Sequence, residues 1–228
     1  PRLFVIDFHG DIKATESAAL REAITGILME AKEGDRVLIR LENAGGLVTE
    51  HGLAASQLTR LRARGIHLTV AVDKVAASGG YLMAAVADHI IAAPFAVVGS
   101  IGVVVQLPNF HRVLERHGVD FELHTAGDYK RTLTLFGENT EAGREKLRQQ
   151  LEETHDLFKD FILEYRPGLD LAQVATGEYW HGRQALALGL IDELKTSDDF
   201  LLEASGSADL YKVSYTAHKK PLERLLSS

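Results

Sequence analysis

Apolar runs typical of strands alternate with amphipathic runs typical of helices through the first 125 of the 228 residues. RVLIRLE at 36–42 and IHLTVAV at 66–72 have the length and apolar content of buried strands. The segment between them has helical periodicity and ends at Gly65. Two later apolar segments, VVGSIGVVV at 97–105 and VDFELHT at 119–125, are also predicted strands. Alternation at such short intervals is typical of an α/β fold in which most strands are parallel. We therefore predict an α/β fold.

The pattern changes after residue 125. The stretch 138–165 places apolar side chains on one stripe and predicts a long helix, which RPG at 166–168 ends. Shorter helices and a late strand, LYKVSY, follow. Because no repeat or Pro/Ser-rich linker interrupts the chain, we predict a single domain, residues 1–228, with a strand-and-helix core at 1–125 and a largely helical part at 126–228.

Composition excludes several classes of function. The net charge of −7 and the lack of Arg/Lys clusters argue against a general nucleic-acid surface. The chain has no cysteine, which excludes disulfides, thiolate metal sites and a cysteine nucleophile. No apolar run reaches the roughly 18 residues of a membrane span. The chain opens directly on the strand-like RLFVIDF, so we expect any membrane anchor to precede residue 1.

Glycine-bearing breaks follow three of the predicted strands. They are Asn43-Ala44-Gly45-Gly46, Ser78-Gly79-Gly80 and Gly99-Ser100-Ile101-Gly102. In α/β sheets, loops beyond the carboxyl ends of the strands line the usual ligand crevice, and glycine exposes backbone N–H groups to a substrate. Two such N–H groups facing a nucleophile would form an oxyanion hole. Taken singly, each break is more often a turn or a helix cap.

A serine at such a break needs a base to act as a nucleophile. None of the ten histidines lies in a recognisable triad or metal signature, and we interpret His9, His51, His117 and His181 as surface or structural residues. No metal, dinucleotide or phosphate-loop motif is present, so no cofactor is predicted.

Lys130, in AGDYKRTLTLFGENT, is the other candidate base. A lysine acts as a general base only when its pKa falls well below its usual value of about 10.4, which requires burial among apolar groups. Leu133, Leu135 and Phe136 are the candidates for that cover. A lone lysine is far more often solvated, so residue chemistry alone leaves the Ser–Lys pair open.

Five motifs, in this order, resemble the signal peptide peptidase A family of serine peptidases, and its short SohB-type members in particular. They are NAGG, AASGGYLMAA, VGSIGV, GDYKR and GEYWHGRQALALGLIDEL. The resemblance extends from the first strand to about Leu194 and implies a Clp protease/crotonase-type fold with repeated ββα units and a helical C-terminal half. It also implies that Ser78 is the nucleophile, that Lys130 is the base and that Ser100 orients the lysine. The oxyanion hole would comprise the N–H of Gly79 and that of Gly45 or Gly46.

The resemblance further implies a Ser–Lys endopeptidase that degrades signal peptides or other membrane-proximal or unfolded segments. Such proteins form homo-oligomers at the bacterial inner membrane, with the catalytic domain on the periplasmic side and no cofactor. An extended substrate would pair with the strand edge at 43–47, where Ala44 replaces the proline common in the family. The residues expected to contact substrate are Asn43, Ala44, Leu47 and Gly80.

Two other functions stay open at this point. A crotonase-like acyl-CoA enzyme would use the same N–H pair to hold a thioester enolate, although no carboxylate stands at the glycine breaks. An assembly module with an inert dyad would use the fold alone. The amphipathic end KKPLERLLSS either covers a partner surface or forms a free tail.

Overall fold

The computed structural model describes residues 1–216, which form two compact units. Unit 1 contains residues 1–101 and the chain from 161 onward, and unit 2 contains residues 102–160. The boundary between the units lies before the predicted change of pattern at residue 125, and the single domain stays a prediction. The amphipathic end at 219–228 lies outside the described residues.

Unit 1 contains nine strands and most of the helices of the described chain. In order, its first part comprises β1 (Arg2–Gly10), α1 (Ser17–Glu30), β2 (Arg36–Asn43), α2 (Val48–Ala63), β3 (His67–Val72), β4 (Val75–Ala77), α3 (Gly79–Ala85), β5 (His89–Ala92) and β6 (Val97–Gly99). Unit 2 contains α4 (His111–Arg116) and most of α5 (Glu141–Tyr165), the long helix that the sequence predicts. Unit 1 then continues with α6 (Leu171–Val174), β7 (Tyr179–His181), α7 (Gly182–Ala187), β8 (Glu193–Leu194), α8 (Ser197–Ser205) and β9 (Asp209–Lys212).

All nine strands join one sheet centred on β2. Along its length β2 pairs with β1, from Leu3↔Arg36 to Gly10↔Asn43, and β9 pairs with the outer edge of β1. On its other side β2 pairs first with β3 and then, at Asn43↔Ala76, with β4. Every pairing is parallel except that of β6 with β7. The predicted mostly parallel sheet is therefore confirmed.

The sheet consists of two successive tiers of strand pairs. β3 and β4 follow each other in the chain, as do β5 and β6, and β5 pairs with β3 while β6 pairs with β4. β8 then extends the first tier and β7 the second. As a result, β4 and β6 end side by side, and the loops that follow them begin at the same edge of the sheet.

Burial on both faces explains the continuous apolar runs of the strands. Four successive residues of β1, Leu3–Ile6, are buried, and so are Val37–Ile39 of β2. One face packs on α8 through a cluster that includes Leu3, Val5 and Leu38, and α1, α2 and α3 pack beside one another. Each fully buried Leu or Ile contributes roughly 1.5–3 kcal/mol, and parallel sheets covered on both faces require such runs.

Two predicted strand segments do not form strands. VDFELHT at 119–125 alternates apolar and polar residues, and VVGSIGVVV continues past Gly99, but both regions are irregular beyond β6. A strand needs a hydrogen-bonding neighbour, and none of residues 102–160 belongs to a strand. Alternation alone therefore predicted a half-buried strand where no partner strand exists.

Candidate active site

Ser78 occupies a sharp turn between β4 and α3. Its backbone has φ 52° and ψ −122°, a conformation that residues with a Cβ rarely adopt. The Ser78 N–H donates to Gly99 O over 2.8 Å, and its carbonyl accepts from the Leu82 N–H over 3.0 Å. Such strain costs about 1–3 kcal/mol and concentrates at functional sites. A serine on a strained strand-to-helix turn is the geometry of a nucleophile elbow.

Helix α3 holds this turn in place because all seven of its residues are buried. The Tyr81 hydroxyl donates to Leu190 O over 2.8 Å, which fixes the first turn of the helix to the segment before β8. Burial raises the pKa of the Tyr81 hydroxyl above its usual range, so this group stays a neutral donor.

Strand register brings the second predicted serine to the same place. The pairing Ala77↔Gly99 makes Ser78 and Ser100 the next residues beyond two neighbouring strands. Ser100 also has a positive φ, 51°. Its N–H donates to Glu178 O over 2.7 Å, and its hydroxyl lies 3.4 Å from Gly177 O. Both serines are partly exposed at one edge of the sheet.

The loop after β2 lies against Ser78. A Cβ on Gly45 would lie 2.7 Å from Ser78 Cβ and 2.8 Å from Gly79 N, and Gly45 has φ 87°, so both space and backbone require glycine. The Gly45 N–H donates to Asn43 Oδ1 over 2.8 Å. Among residues 1–216, the Gly46 N–H has no such acceptor. Of the two predicted alternatives for the second oxyanion donor, Gly46 is the one whose N–H is unoccupied.

Asn43 and Gly80 require a correction. Asn43 is 1% exposed, and its backbone pairs with both Gly10 and Ala76, so it presents no free strand edge. Gly80 is buried, and a Cβ there would collide with Asn43 O. These two residues therefore pack beneath the loop and do not face a substrate. Ala44 and Leu47 are exposed, and their contact with substrate stays a prediction.

The sequence did not predict the buried polar pair that His51 and Asn43 form beneath the loop after β2. His51 of α2 is fully buried; its Nε2 lies 3.1 Å from Asn43 Oδ1 and its Nδ1 3.0 Å from Leu47 O. A Cβ on Gly79 would lie 2.6 Å from His51 Cβ. The interpretation of His51 as structural holds, but it is not a surface residue. The signal was its helical spacing to the buried Ala54, Ala55 and Leu58.

Lys130 belongs to unit 2 and is exposed there. Its N–H donates to Gly127 O over 3.1 Å in a turn. Phe136, expected to cover the amine, instead packs on Phe110 and Phe121, with ring centroids 6.1 and 5.8 Å apart. The expected apolar burial of Lys130 is therefore absent from unit 2 as described. Because Ser78 lies in unit 1, the dyad itself stays a prediction.

Within residues 1–216, no group of three or more His, Cys, Asp or Glu side chains is placed to hold a metal ion. No helix in the same range is both long and apolar enough to cross a bilayer.

Two parts of one known protein family together match nearly the whole chain. Residues 60–211 match Peptidase family S49, and residues 1–58 match Peptidase family S49 N-terminal. The chain belongs to peptidase family S49. The resemblance to signal peptide peptidase A and SohB-type proteins is thereby confirmed.

Two S49 relatives are each described as "Probable protease SohB". The Haemophilus influenzae protein is 57% identical over 222 residues, which cover 97% of this chain and 63% of the relative. The Buchnera aphidicola protein from Acyrthosiphon pisum is 55% identical over 227 residues, which cover 100% of this chain and 68% of the relative. The chain thus spans about two thirds of the length of these relatives.

A solved structure shares the fold at low sequence identity. A mutant of the 1510-N membrane-bound stomatin-specific protease superposes with a TM-score of 0.62 at 13% identity, over 94% of this chain and 98% of that one. At that identity the likeness concerns the fold alone. The predicted Clp protease/crotonase-like α/β fold is confirmed.

Proposed function

We propose that this chain is a serine endopeptidase in which Ser78 is the nucleophile and Lys130 the general base. The observation that carries the proposal is the strained turn at Ser78, which stands against Gly45 and beside Ser100. Membership of a peptidase family supports the reaction class. Lys130 is assigned through the family motif GDYKR.

Each step of the proposed reaction has a group to perform it. Lys130 removes the proton of the Ser78 hydroxyl as Ser78 Oγ attacks the substrate carbonyl carbon. The N–H groups of Gly79 and Gly46 donate to the resulting oxyanion. The intermediate collapses to an acyl-enzyme as the C–N bond breaks and Lys130 returns the proton to the leaving amine. A water molecule, deprotonated by Lys130, then attacks the ester carbonyl carbon, the bond to Ser78 Oγ breaks, and Lys130 returns the proton to Ser78 Oγ. Ser100 positions the lysine amine throughout.

The proposed substrates are signal peptides and other membrane-proximal or unfolded segments. An extended peptide fits because the exposed residues Ala44 and Leu47 flank the glycine pair, of which Gly45 lies against Ser78. We place the protein at the bacterial inner membrane with its catalytic residues on the periplasmic side, as a homo-oligomer. The names of the relatives support a protease and do not specify its substrate, location or oligomeric state.

Replacing the two dyad residues tests the proposed reaction. We expect Ser78→Ala and Lys130→Ala each to lower kcat for an unstructured peptide by at least about 10³-fold, because nucleophile and base act as a unit. Ser56→Ala and Lys32→Ala, at exposed positions in unit 1, are the matched controls and should keep full activity. Undiminished cleavage by Ser78→Ala would exclude the assignment, and thioester turnover without peptide cleavage would indicate a crotonase-like enzyme instead.

A further inference from the structure

The side chain of Asn43 connects three segments that meet at Ser78. Its Oδ1 accepts the Gly45 N–H over 2.8 Å and lies 3.1 Å from His51 Nε2, and its Nδ2 lies 3.4 Å from Met83 Sδ. These partners belong to the loop after β2, to α2 and to α3. Since Asn43 is 1% exposed and His51 is fully buried, water does not compete for these contacts.

The Gly45 hydrogen bond fixes which way the Asn43 amide faces. Turning the amide over would place its NH₂ group against the Gly45 N–H, donor against donor. Oδ1 therefore faces His51. Leu47 O, 3.0 Å from Nδ1, already accepts the backbone N–H of His51, whereas Oδ1 has no second donor in residues 1–216 other than the ring, so we assign the ring hydrogen to Nε2. Without that donor, a buried amide oxygen would retain the Gly45 N–H as its one hydrogen-bonding partner in the described chain.

Asn43 and His51 each contact one of the two glycine segments that would supply the N–H donors of the proposed oxyanion hole. The Asn43–Gly45 bond fixes the Ala44–Gly45 peptide plane to the end of β2, one peptide before the one that carries the Gly46 N–H. On the other side the His51 ring occupies the space where Gly79 has no side chain, with Cδ2 2.8 Å from the position of a Cβ. A shift of the ring would therefore move the Gly79 backbone as well.

We propose that His51 and Asn43 form a buried positioning pair, in which the Nε2–H···Oδ1 bond aligns the Gly46 and Gly79 N–H groups with the oxyanion formed at Ser78. This inference rests on the proposed peptidase function. Neither residue touches substrate, so both act through the glycine loops. A loss of the pair affects the charged intermediate more than the bound substrate, because the uncharged carbonyl depends less on the two donors.

His51→Phe tests the pair, because it keeps a planar ring and removes the donor. We expect kcat to fall about 10- to 100-fold, with KM changed less than threefold. Affinity for a peptide aldehyde, whose adduct with Ser78 carries the oxyanion, should fall by the same factor as kcat. His51→Gln retains an N–H donor and should recover most of both losses.

Gln57→Leu is the matched control on the same helix. Gln57 is also buried, and its Nε2 lies 3.4 Å from Leu53 O, away from the glycine loops. Its loss should lower the melting temperature and leave kcat and aldehyde affinity unchanged. If Gln57→Leu and His51→Phe reduced kcat equally, the role of His51 would be general packing, and the proposal would fail.

The wild-type protein provides a test that does not depend on a variant folding. Nitrogen-15 NMR of the histidine rings should show hydrogen on His51 Nε2, and a bare Nε2 would overturn the inference. Wild-type kcat and aldehyde affinity in His51→Phe would also overturn it, while the proposed function would stand as long as Ser78→Ala is inactive. Cleavage by Ser78→Ala would instead overturn the proposed function and this inference together.

Discussion

Two features of the structure at position 45, the backbone conformation and the lack of space for a Cβ, both require glycine. The φ of 87° at Gly45 favours glycine, and the space where a Cβ would lie is filled by Ser78 and Gly79. The sequence places a glycine pair at this strand end, but it does not show what the pair faces. The close approach to Ser78 arises from the pairing Asn43↔Ala76, which joins residues far apart in the chain.

We expect Gly45→Ala to destabilise the protein by about 1–3 kcal/mol and to lower kcat at least about 100-fold, because the Cβ displaces the nucleophile turn. Gly52→Ala is the control, since a Cβ on this helical glycine meets no atom within 4 Å. That variant should gain up to about 1 kcal/mol in stability at full activity. Thermal unfolding and peptide hydrolysis measure both effects. A fully active Gly45→Ala protein would contradict the crowding around Ser78.

At the scale of elements, Asp7 of β1 joins three neighbouring strands. It accepts from Arg40 of β2, with Nε 2.6 Å from Oδ1, and Lys212 of β9 lies 2.8 Å from Oδ2. The Arg40 hydrogen bonds contribute most to lowering the pKa of Asp7 to about 2. Because β9 lies at the edge of the sheet next to β1, this carboxylate helps attach the last described strand.

This pKa shift predicts a specific pH dependence of stability. The folded pKa is lower than the unfolded one, so the contribution is complete above about pH 4 and disappears as pH falls through 2. We expect Asp7→Asn to cost about 1–2 kcal/mol at pH 7 and almost nothing at pH 2. Denaturant titrations at both pH values measure the difference. An equal loss at both would show that Asp7 acts through packing or neutral hydrogen bonds.

On the scale of the whole molecule, unit 2 carries many exposed apolar side chains. Val104 is 77% exposed and Val113 51%, and Phe121 and Leu123 are also exposed. Exposed apolar area of this kind is typical of surfaces that contact another protein. It supports the proposed homo-oligomer, in which such side chains would be covered by neighbouring copies.

We expect sedimentation equilibrium to give a mass that is a multiple of 25.0 kDa and rises with concentration. Val104→Asp together with Val113→Asp should shift the protein toward the monomer, because a carboxylate is costly to bury at an apolar contact. Leu202→Asp, at a position 75% exposed in unit 1, is the control and should leave the mass unchanged. A monomeric wild-type protein at high concentration would exclude the proposed oligomer.

The sequence by itself determined the α/β class, most helices and strands, the peptidase family and the serine motifs at the strand ends. These features follow from local periodicity and short motifs, which can be recognised in the sequence without knowledge of the tertiary structure. The strands expected beyond Gly99 failed because strand formation depends on a partner that local alternation does not specify. The motif GDYKR likewise indicated Lys130 as the candidate base. The neighbouring apolar residues predicted burial of its amine, but Lys130 is exposed.

Only the tertiary structure decided where the motif residues lie relative to one another. Strand register brought Ser78 and Ser100 to adjacent positions, and the Asn43 side chain left Gly46 as the loop glycine with a free N–H in residues 1–216. Asn43 and Gly80 lie buried beneath the loop, and the His51 ring packs against Gly79. The physical reason is common to all of these: hydrogen bonds and close packing between segments distant in sequence fix each group, and no local pattern encodes such contacts.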